Sequence, residues 1–186
     1  ERTVEFARDL PADAWVVTQG WRDYRWTPRQ HPNKRSLDRA FPDRPCAMYS
    51  GDGHTLWLNR AALDALGVTP DTEPPAGGSF DTFENGELTG IAHEAAAMQL
   101  LPRCLEWLGE ERIAEAYAQQ MQRMAAQGIT SMCDMSLMPM PGCDFIRDDV
   151  YDKLQEEGRL CVRAHLFPTL LDDQSRLFEL QRRYEG

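Results

Sequence analysis

The sequence lacks the features that mark several classes of protein. No apolar run approaches the roughly 20 residues that a bilayer-spanning helix needs, and no charged and then apolar leader opens the chain. Basic residues are outnumbered, since 20 Lys and Arg stand against 30 Asp and Glu and the formal net charge is −10. Nucleic-acid binding without sequence preference depends on an excess of basic side chains. We therefore expect neither a membrane nor a nucleic acid as a partner.

Paired cysteines are also missing. The five cysteines form no Cys-x-x-Cys motif, which argues against a structural zinc site and against a thioredoxin-like redox site. Reduced thiols are typical of cytosolic proteins, so we expect a cytoplasmic location. A thiol enzyme that uses Cys133 or Cys161 is a weaker hypothesis, because neither residue has an obvious histidine partner or a place at a helix N-terminus.

The most informative stretch covers residues 49–63. Apolar runs on both sides of Gly51-Asp52-Gly53 predict two strands joined by a tight turn. Asn59 is then the predicted N-cap of a helix from Arg60 to Leu66, which Gly67 ends. His54 lies at the rim of the turn and could reach a ligand. The alternative is a structural histidine with an ordinary hydrogen bond.

The rest of the first half alternates helix, strand and loop. The pattern predicts a helix over 3–10, a strand over 14–19, a turn over 37–41 capped by Ser36, and a loop over 68–78. Residues 79–90 form a predicted hairpin around Asn85-Gly86. A helix over 91–101, ended by Pro102, would place His93 in solvent and Glu94 near its start, where the helix dipole favours a carboxylate.

Aromatic residues cluster between positions 21 and 26. Trp21, Tyr24 and Trp26 alternate with arginines. They could form a stacking surface for an aromatic or acyl group, or they could anchor a loop by burying their rings. We favour the second interpretation.

The second half predicts βα units. Helices are expected over 109–127, 145–157 and 172–184, and buried strands over 129–134 and 160–167. Strands that alternate with amphipathic helices indicate a parallel sheet. Right-handed crossovers would bring Asp134 and His165 together at the carboxyl ends of neighbouring strands.

A series of short segments is more specific in its order than any one of them alone. The segments are Gly20-Trp21, Leu37-Asp38, Pro42-Asp43-Arg44-Pro45, Asp52-Gly53-His54, Trp57-Leu58-Asn59, Ala62-Leu63, Gly77-Gly78, Gly86-Glu87-Leu88-Thr89-Gly90, Glu94 and Gly128-Ile129-Thr130-Ser131. This order resembles the middle section of amidohydrolase family 3, the metal-dependent hydrolases that include YtcJ-like and N-substituted formamide deformylase-like enzymes. The resemblance extends over about residues 15–167.

The resemblance implies an α/β fold, namely part of a (β/α)₈ barrel with an α/β insertion. Residues 1–108 would form the insertion and substrate pocket, and residues 109–186 would form incomplete barrel units. The family's His-x-His ligand pair would precede Glu1 and its later ligands would follow Gly186. We therefore expect a central fragment of an enzyme that hydrolyses non-peptide C–N bonds, inactive by itself, whose parent holds a divalent metal, most simply zinc.

The resemblance also implies roles for individual residues, while the catalytic residues stay unassigned. Substrate-binding candidates are His54, Asp52, Trp57 and Trp21, and candidates for the metal side are His165, Glu94 and Asp134. The family's Gly-Trp-Asp departs here to Gly20-Trp21-Arg22, so a cation replaces an anion.

Partners and alternatives follow from the same interpretation. We expect a small-molecule substrate, and we expect self-association because a partial barrel leaves open sheet edges. The competing hypothesis is a non-catalytic α/β binding or interaction module.

Overall fold

A computed structural model describes residues 2–135, 146–168 and 174–184. The chain divides into two units, residues 1–107 and residues 108–186. Both units mix helices and strands, as the sequence pattern predicts. None of the helices in the described parts of the chain combines the length and apolar character that crossing a bilayer would require.

The first unit is built on a five-stranded mixed sheet. Its strands are β1 (Val16–Trp21), β2 (Cys46–Ser50), β3 (Thr55–Leu58), β4 (Gly78–Thr82) and β5 (Leu88–Glu94). Their spatial order is β1-β2-β3-β5-β4. The β1–β2 pair is parallel and the other pairs are antiparallel. The two predicted hairpins, β2–β3 and β4–β5, are confirmed.

Helices cover both faces of this sheet. They are α1 (Arg2–Arg8), α2 (Lys34–Ala40), α3 (Arg60–Leu66) and α4 (Ala95–Leu105). Side chains alternate along β3, so Leu56 and Leu58 join a core that contains residues of α3 and α4. Trp57 joins a second core with Leu37 of α2 and Ala7 of α1. The sheet is thus the middle layer of the unit.

Asn59 organises the connection between β3 and α3. Its side chain is fully buried, and its Oδ1 accepts hydrogen bonds from the amides of Ala62 and Cys46, both at 2.9 Å. Its Nδ2 donates to the carbonyls of Phe41 at 2.8 Å and Arg44 at 2.9 Å. The predicted cap is confirmed, and it also fixes the loop before β2, which the sequence pattern did not indicate.

Three local predictions in this unit are wrong. Ile91 to Glu94 is strand, not helix, because Ile91 pairs with Trp57 of β3 and is buried there. Pro102 does not end the helix but lies inside α4. The cap of α2 is Asn33, whose side chain accepts a hydrogen bond from the amide of Arg35, rather than Ser36.

The second unit contains two parallel strands with helices. Its elements are α5 (Gly109–Ala126), β6 (Ser131–Met135), α6 (Asp148–Glu156), β7 (Arg163–Phe167) and α7 (Ser175–Tyr184). The predicted alternation of helix and strand is confirmed for these elements. Residues 136–145, which include part of the predicted helix over 145–157, lie outside the described residues.

The two strands of this unit are covered on one face only. Met132, Ala164 and Leu166 pack on a core with Met121 of α5 and Leu154 of α6. The alternate positions of both strands, from 131 to 135 and from 163 to 167, are exposed. The prediction that both strands are buried is therefore wrong for one of their two faces.

Candidate functional site

The turn between β2 and β3 is held by its own polar side chains. The Ser50 hydroxyl donates to Asp52 Oδ1 at 2.5 Å and accepts from the amide of Thr55 at 2.9 Å. Asp52 Oδ1 also accepts from the amide of His54 at 3.2 Å. These hydrogen bonds hold the pKa of Asp52 below its usual range, so its carboxylate stays ionised.

The turn brings His54 to a carboxylate forty residues away in sequence. His54 Nδ1 lies 2.9 Å from Glu94 Oε2, and the amide of Glu94 donates to the His54 carbonyl at 2.7 Å. Both side chains are more than half exposed, at 56% and 55%. The hydrogen bond to Glu94 and its negative charge raise the pKa of His54. The contact therefore favours the protonated form of the imidazole over the neutral form.

Glu94 has an unusual backbone conformation. It lies at the junction of β5 and α4 with φ 50° and ψ −123°, and it is the one non-glycine residue with positive φ in the described parts of the chain. This is the geometry of the first central position of a type II′ turn, which glycine prefers. Strained positions of this kind cluster at functional sites.

An open cavity of about 210 Å³ lies beside the turn. It is bounded by the end of β1 and the residues after it, by the β2–β3 turn and by β4 and β5. Its charged and polar lining residues are Arg22, Asp23, His31, Ser50, Asp52, Thr55, Asp81 and His93, and its larger apolar surfaces are Trp21 and Ile91.

His93 is one of the lining residues that sequence reasoning missed. Its Nδ1 lies 3.4 Å from Thr55 Oγ1 and its Nε2 lies 3.1 Å from Asp81 Oδ2. It lines the cavity because residue 93 belongs to a strand and pairs with both Thr55 and Ser79. A period-2 pattern that extended the hairpin strand beyond Gly90 would have indicated this placement.

The predicted substrate-binding residues take different positions. Asp52 and Trp21 line the cavity, whereas His54 is not among its lining residues and meets Glu94 instead. Trp57 is 7% exposed and packs edge-on against Trp21, with ring centroids 5.9 Å apart. A direct contact between Trp57 and a substrate stays a prediction.

The other aromatic residues of this region are Trp26, which is partly buried, and Tyr24. Trp26 packs on Trp21 and Trp57 at centroid distances of 6.2 and 6.0 Å. Tyr24 is exposed. Trp26 therefore anchors the loop by packing its partly buried ring on a core, while Trp21 combines such packing with a place in the cavity wall.

The sequence matches the profile of a known protein family along almost all of its length. The profile of the family described as "Amidohydrolase family" matches residues 1–185. The chain belongs to the amidohydrolase family.

Two bacterial proteins are among the relatives of this chain. It is 28% identical to the "Putative amidohydrolase YtcJ" of Bacillus subtilis over 162 residues, which are 87% of this chain and 30% of that protein. It is also 28% identical to the "N-substituted formamide deformylase" of Arthrobacter pascens over 130 residues, which are 68% of this chain and 24% of that protein. The chain thus spans about a quarter to a third of the length of these relatives.

Two archaeal crystal structures share the fold of this amidohydrolase. One is an uncharacterised metal-dependent hydrolase from Pyrococcus horikoshii, with a TM-score of 0.63 and 16% identity over 97% of this chain and 32% of that one. The other is an uncharacterised metal-dependent hydrolase from Pyrococcus furiosus, with a TM-score of 0.59 and 19% identity over 97% of this chain and 34% of that one.

Two of the three candidates for the metal side, Asp134 and His165, lie in the second unit, and Glu94 lies in the first. Asp134 and His165 are on neighbouring parallel strands near their carboxyl ends, as predicted. However, His165 is in register with Cys133, so Asp134 and His165 leave opposite faces of the sheet. Asp134 accepts a hydrogen bond from the Tyr151 hydroxyl at 2.7 Å, while His165 lies on the exposed face.

The family implies a metal centre, which would need several His, Cys, Asp or Glu side chains close together. Among residues 2–135, 146–168 and 174–184, no three His, Cys, Asp or Glu side chains group as a metal ion requires. Glu94, Asp134 and His165 are accordingly not ligands of one site within either unit. The described residues do not by themselves fit the centre that a metal-dependent hydrolase uses.

The cysteines divide by burial. Cys46 and Cys104 are buried, and burial raises the pKa of each thiol to about 12, which makes both poor nucleophiles. Cys133 and Cys161 are exposed. Cys133 has His165 as its cross-strand neighbour, a pairing that the sequence analysis did not foresee. Cys143 lies outside the described residues.

Proposed function

We propose that this chain shapes the substrate pocket of a metal-dependent amidohydrolase that cleaves non-peptide C–N bonds of a small molecule. The observation that carries the proposal is the contact of His54 with Glu94, which are the sequence neighbours of the cavity residues Thr55 and His93, in a chain that matches the amidohydrolase profile along nearly its whole length. The N-substituted formamide deformylase among the relatives supports an amide or formamide substrate.

In this proposal His54 acts on the leaving group. Cleavage of a C–N bond requires a proton on the departing nitrogen, and a positioned acid supplies it. Glu94 raises the pKa of His54, which favours the protonated imidazole, and it engages Nδ1, so Nε2 is the nitrogen left to donate a proton. Asp52 fixes the backbone of His54 through its amide. No step is assigned to any other ionisable group.

The second unit would contribute two strands of the barrel. Its parallel strands carry helices α5 and α6 on one face and are open on the other, as expected of βα units whose inner face meets further strands. The divalent ion, which we propose to be zinc, would be held mainly by residues that this chain does not contain. Exposed Met135 and Phe167 support self-association of the chain alone.

The test uses the complete enzyme that contains this chain. We expect it to hydrolyse N-substituted formamides, to lose activity on dialysis against a chelator, and to regain activity with zinc. His54→Gln should lower kcat by about a hundredfold, the contribution of a general acid. Absence of chelator-sensitive hydrolysis, or a His54→Gln variant with unchanged kcat, would refute the proposal.

Glu94→Gln provides the sharper variant. Because Glu94 raises the pKa of His54, its loss should move the basic limb of the pH–rate profile to lower pH. Glu84→Gln is the matched control, since Glu84 is exposed in the β4–β5 turn and is not among the groups that shift the pKa of His54. It should leave the profile unchanged.

A second candidate function is a non-catalytic binding module. It is favoured by one observation, namely that no metal-ligand group forms among the described residues. Under this hypothesis the chain alone would bind a small molecule, and the complete protein that contains it would not hydrolyse that molecule. We expect the chain alone to show no chelator-sensitive hydrolysis under either hypothesis, so the complete enzyme decides between them.

A further inference from the structure

We infer that Arg22 makes the cavity a site for a carboxylate-bearing small molecule, and so sets the charge of the substrate. The inference rests on the proposed function only in taking the cavity as the substrate pocket. It starts from the balance of charges around the cavity, where acidic and basic side chains meet within about 210 Å³.

Each acidic residue of the cavity already has a partner within the protein. Asp23 lies 3.6 Å from Arg29, and Asp81 lies 3.1 Å from His93. Asp52 is engaged by the Ser50 hydroxyl and by backbone amides. A cationic ligand would have to compete with these contacts.

Arg22, unlike these acidic residues, has no partner for its side chain among the described residues. It lines the cavity and is exposed, and no hydrogen bond or ion pair joins its guanidinium to any residue in the described parts of the chain. Its side chain lies over Gly51, where a Cβ would come within 2.6 Å of Arg22 Nε. The absence of a side chain at position 51 therefore makes room for the arginine. A guanidinium presents paired N–H donors that match a carboxylate.

Trp21 supplies a flat apolar wall next to this cation. Its indole Nε1 donates to the Met48 carbonyl at 2.8 Å, and its ring packs on Trp57 and Trp26. The ring is therefore fixed in orientation before a ligand arrives. An unpaired cation beside a fixed aromatic face suits a carboxylate attached to an aromatic or acyl group.

The experiment compares two ligands of the same shape and different charge. Benzoate and benzamide are titrated separately into the purified chain, and the indole N–H resonance of Trp21, assigned with Trp21→Phe, is followed by NMR. We expect saturable shifts with benzoate and about fivefold weaker binding of benzamide, which corresponds to the upper range for one exposed ion pair. Inorganic phosphate is the third ligand, and we expect it to bind more weakly than benzoate because it has no apolar part.

Substitutions distinguish a direct contact between Arg22 and the ligand from the electrostatic attraction of any nearby positive charge. Arg22→Gln should weaken benzoate about fivefold and leave benzamide unchanged. Arg25→Gln, which removes an equal charge from a residue that does not line the cavity, should leave both unchanged. Gly51→Ala should weaken benzoate binding, because the new Cβ would displace the Arg22 side chain. Gly51 does not have a positive φ, so alanine should not strain the backbone there.

The outcomes distinguish this inference from the proposed function. Equal binding of benzoate and benzamide, no saturable binding of benzoate, or an unchanged Arg22→Gln variant would overturn the inference even if the complete enzyme hydrolyses formamides. Arg22-dependent benzoate binding would uphold it even if the complete enzyme proves inactive.

Discussion

Replacing Glu94 by glycine should stabilise the protein relative to replacing it by alanine. Both substitutions remove the carboxylate that contacts His54, so the loss of that contact cancels in the comparison. Only alanine keeps the Cβ that makes φ 50° and ψ −123° unfavourable. Such conformations cost on the order of 1–3 kcal/mol, while glycine costs roughly 0.5–1 kcal/mol in backbone entropy. Glu94→Gly should therefore be more stable than Glu94→Ala by about 1–2 kcal/mol.

Urea unfolding followed by tryptophan fluorescence measures this difference, because Trp21, Trp26 and Trp57 cluster in the same unit as Glu94. The same pair of substitutions at Glu84 is the control. Glu84 has no positive φ, so glycine should there be less stable than alanine by about 0.5–1 kcal/mol. The sign of the glycine–alanine difference should thus reverse between the two positions. If glycine is the less stable residue at position 94 as well, the backbone of Glu94 is not strained and the argument fails.

Two further predictions concern the same unit. Asn59→Ala should lower the free energy of unfolding by about 3–5 kcal/mol, because it removes the partner of four backbone groups, three in buried and one in a partly buried hydrogen bond. Asn33→Ala, which removes one exposed cap, should cost about 0.5–1 kcal/mol in the same urea assay. A similar cost at both positions would contradict this account. The pKa of His54 lies above its ordinary value of 6.5, so the contact with Glu94 stabilises the fold fully below pH 6.5 and ever less as pH rises through the raised pKa. Proton NMR should show the pKa of His54 falling in Glu94→Gln, and an unchanged pKa would rule out the contact in solution.

Local signals account for the parts of the fold that the sequence predicted well. Asn59 and Gly67 bracket α3 because a side-chain cap and a left-handed residue are both encoded within a few positions of the helix ends. Asn85-Gly86 marks the β4–β5 turn for the same reason, since Gly86 has φ 82°. These features need no knowledge of distant residues.

Distant pairing accounts for the errors. Residues 91–94 carry a helix-compatible sequence, yet they complete a strand because the partner strand β3 is present. His93 and Asp81 consequently meet at the cavity, and His54 meets Glu94, through contacts that span 12 and 40 positions. The cross-strand pairing of Cys133 with His165 likewise depends on a register that neither strand discloses alone.

The passage from β5 to α4 contains no linker, since the strand ends at Glu94 and the helix begins at Ala95. Glu94, whose carboxylate contacts His54, is therefore the N-cap of a helix about three turns long. Near the other end of this helix, Arg103 donates a hydrogen bond to the Leu66 carbonyl at 2.8 Å. Because no loop separates Glu94 from α4, a displacement of the helix would be transmitted directly to the distance between Glu94 Oε2 and His54 Nδ1.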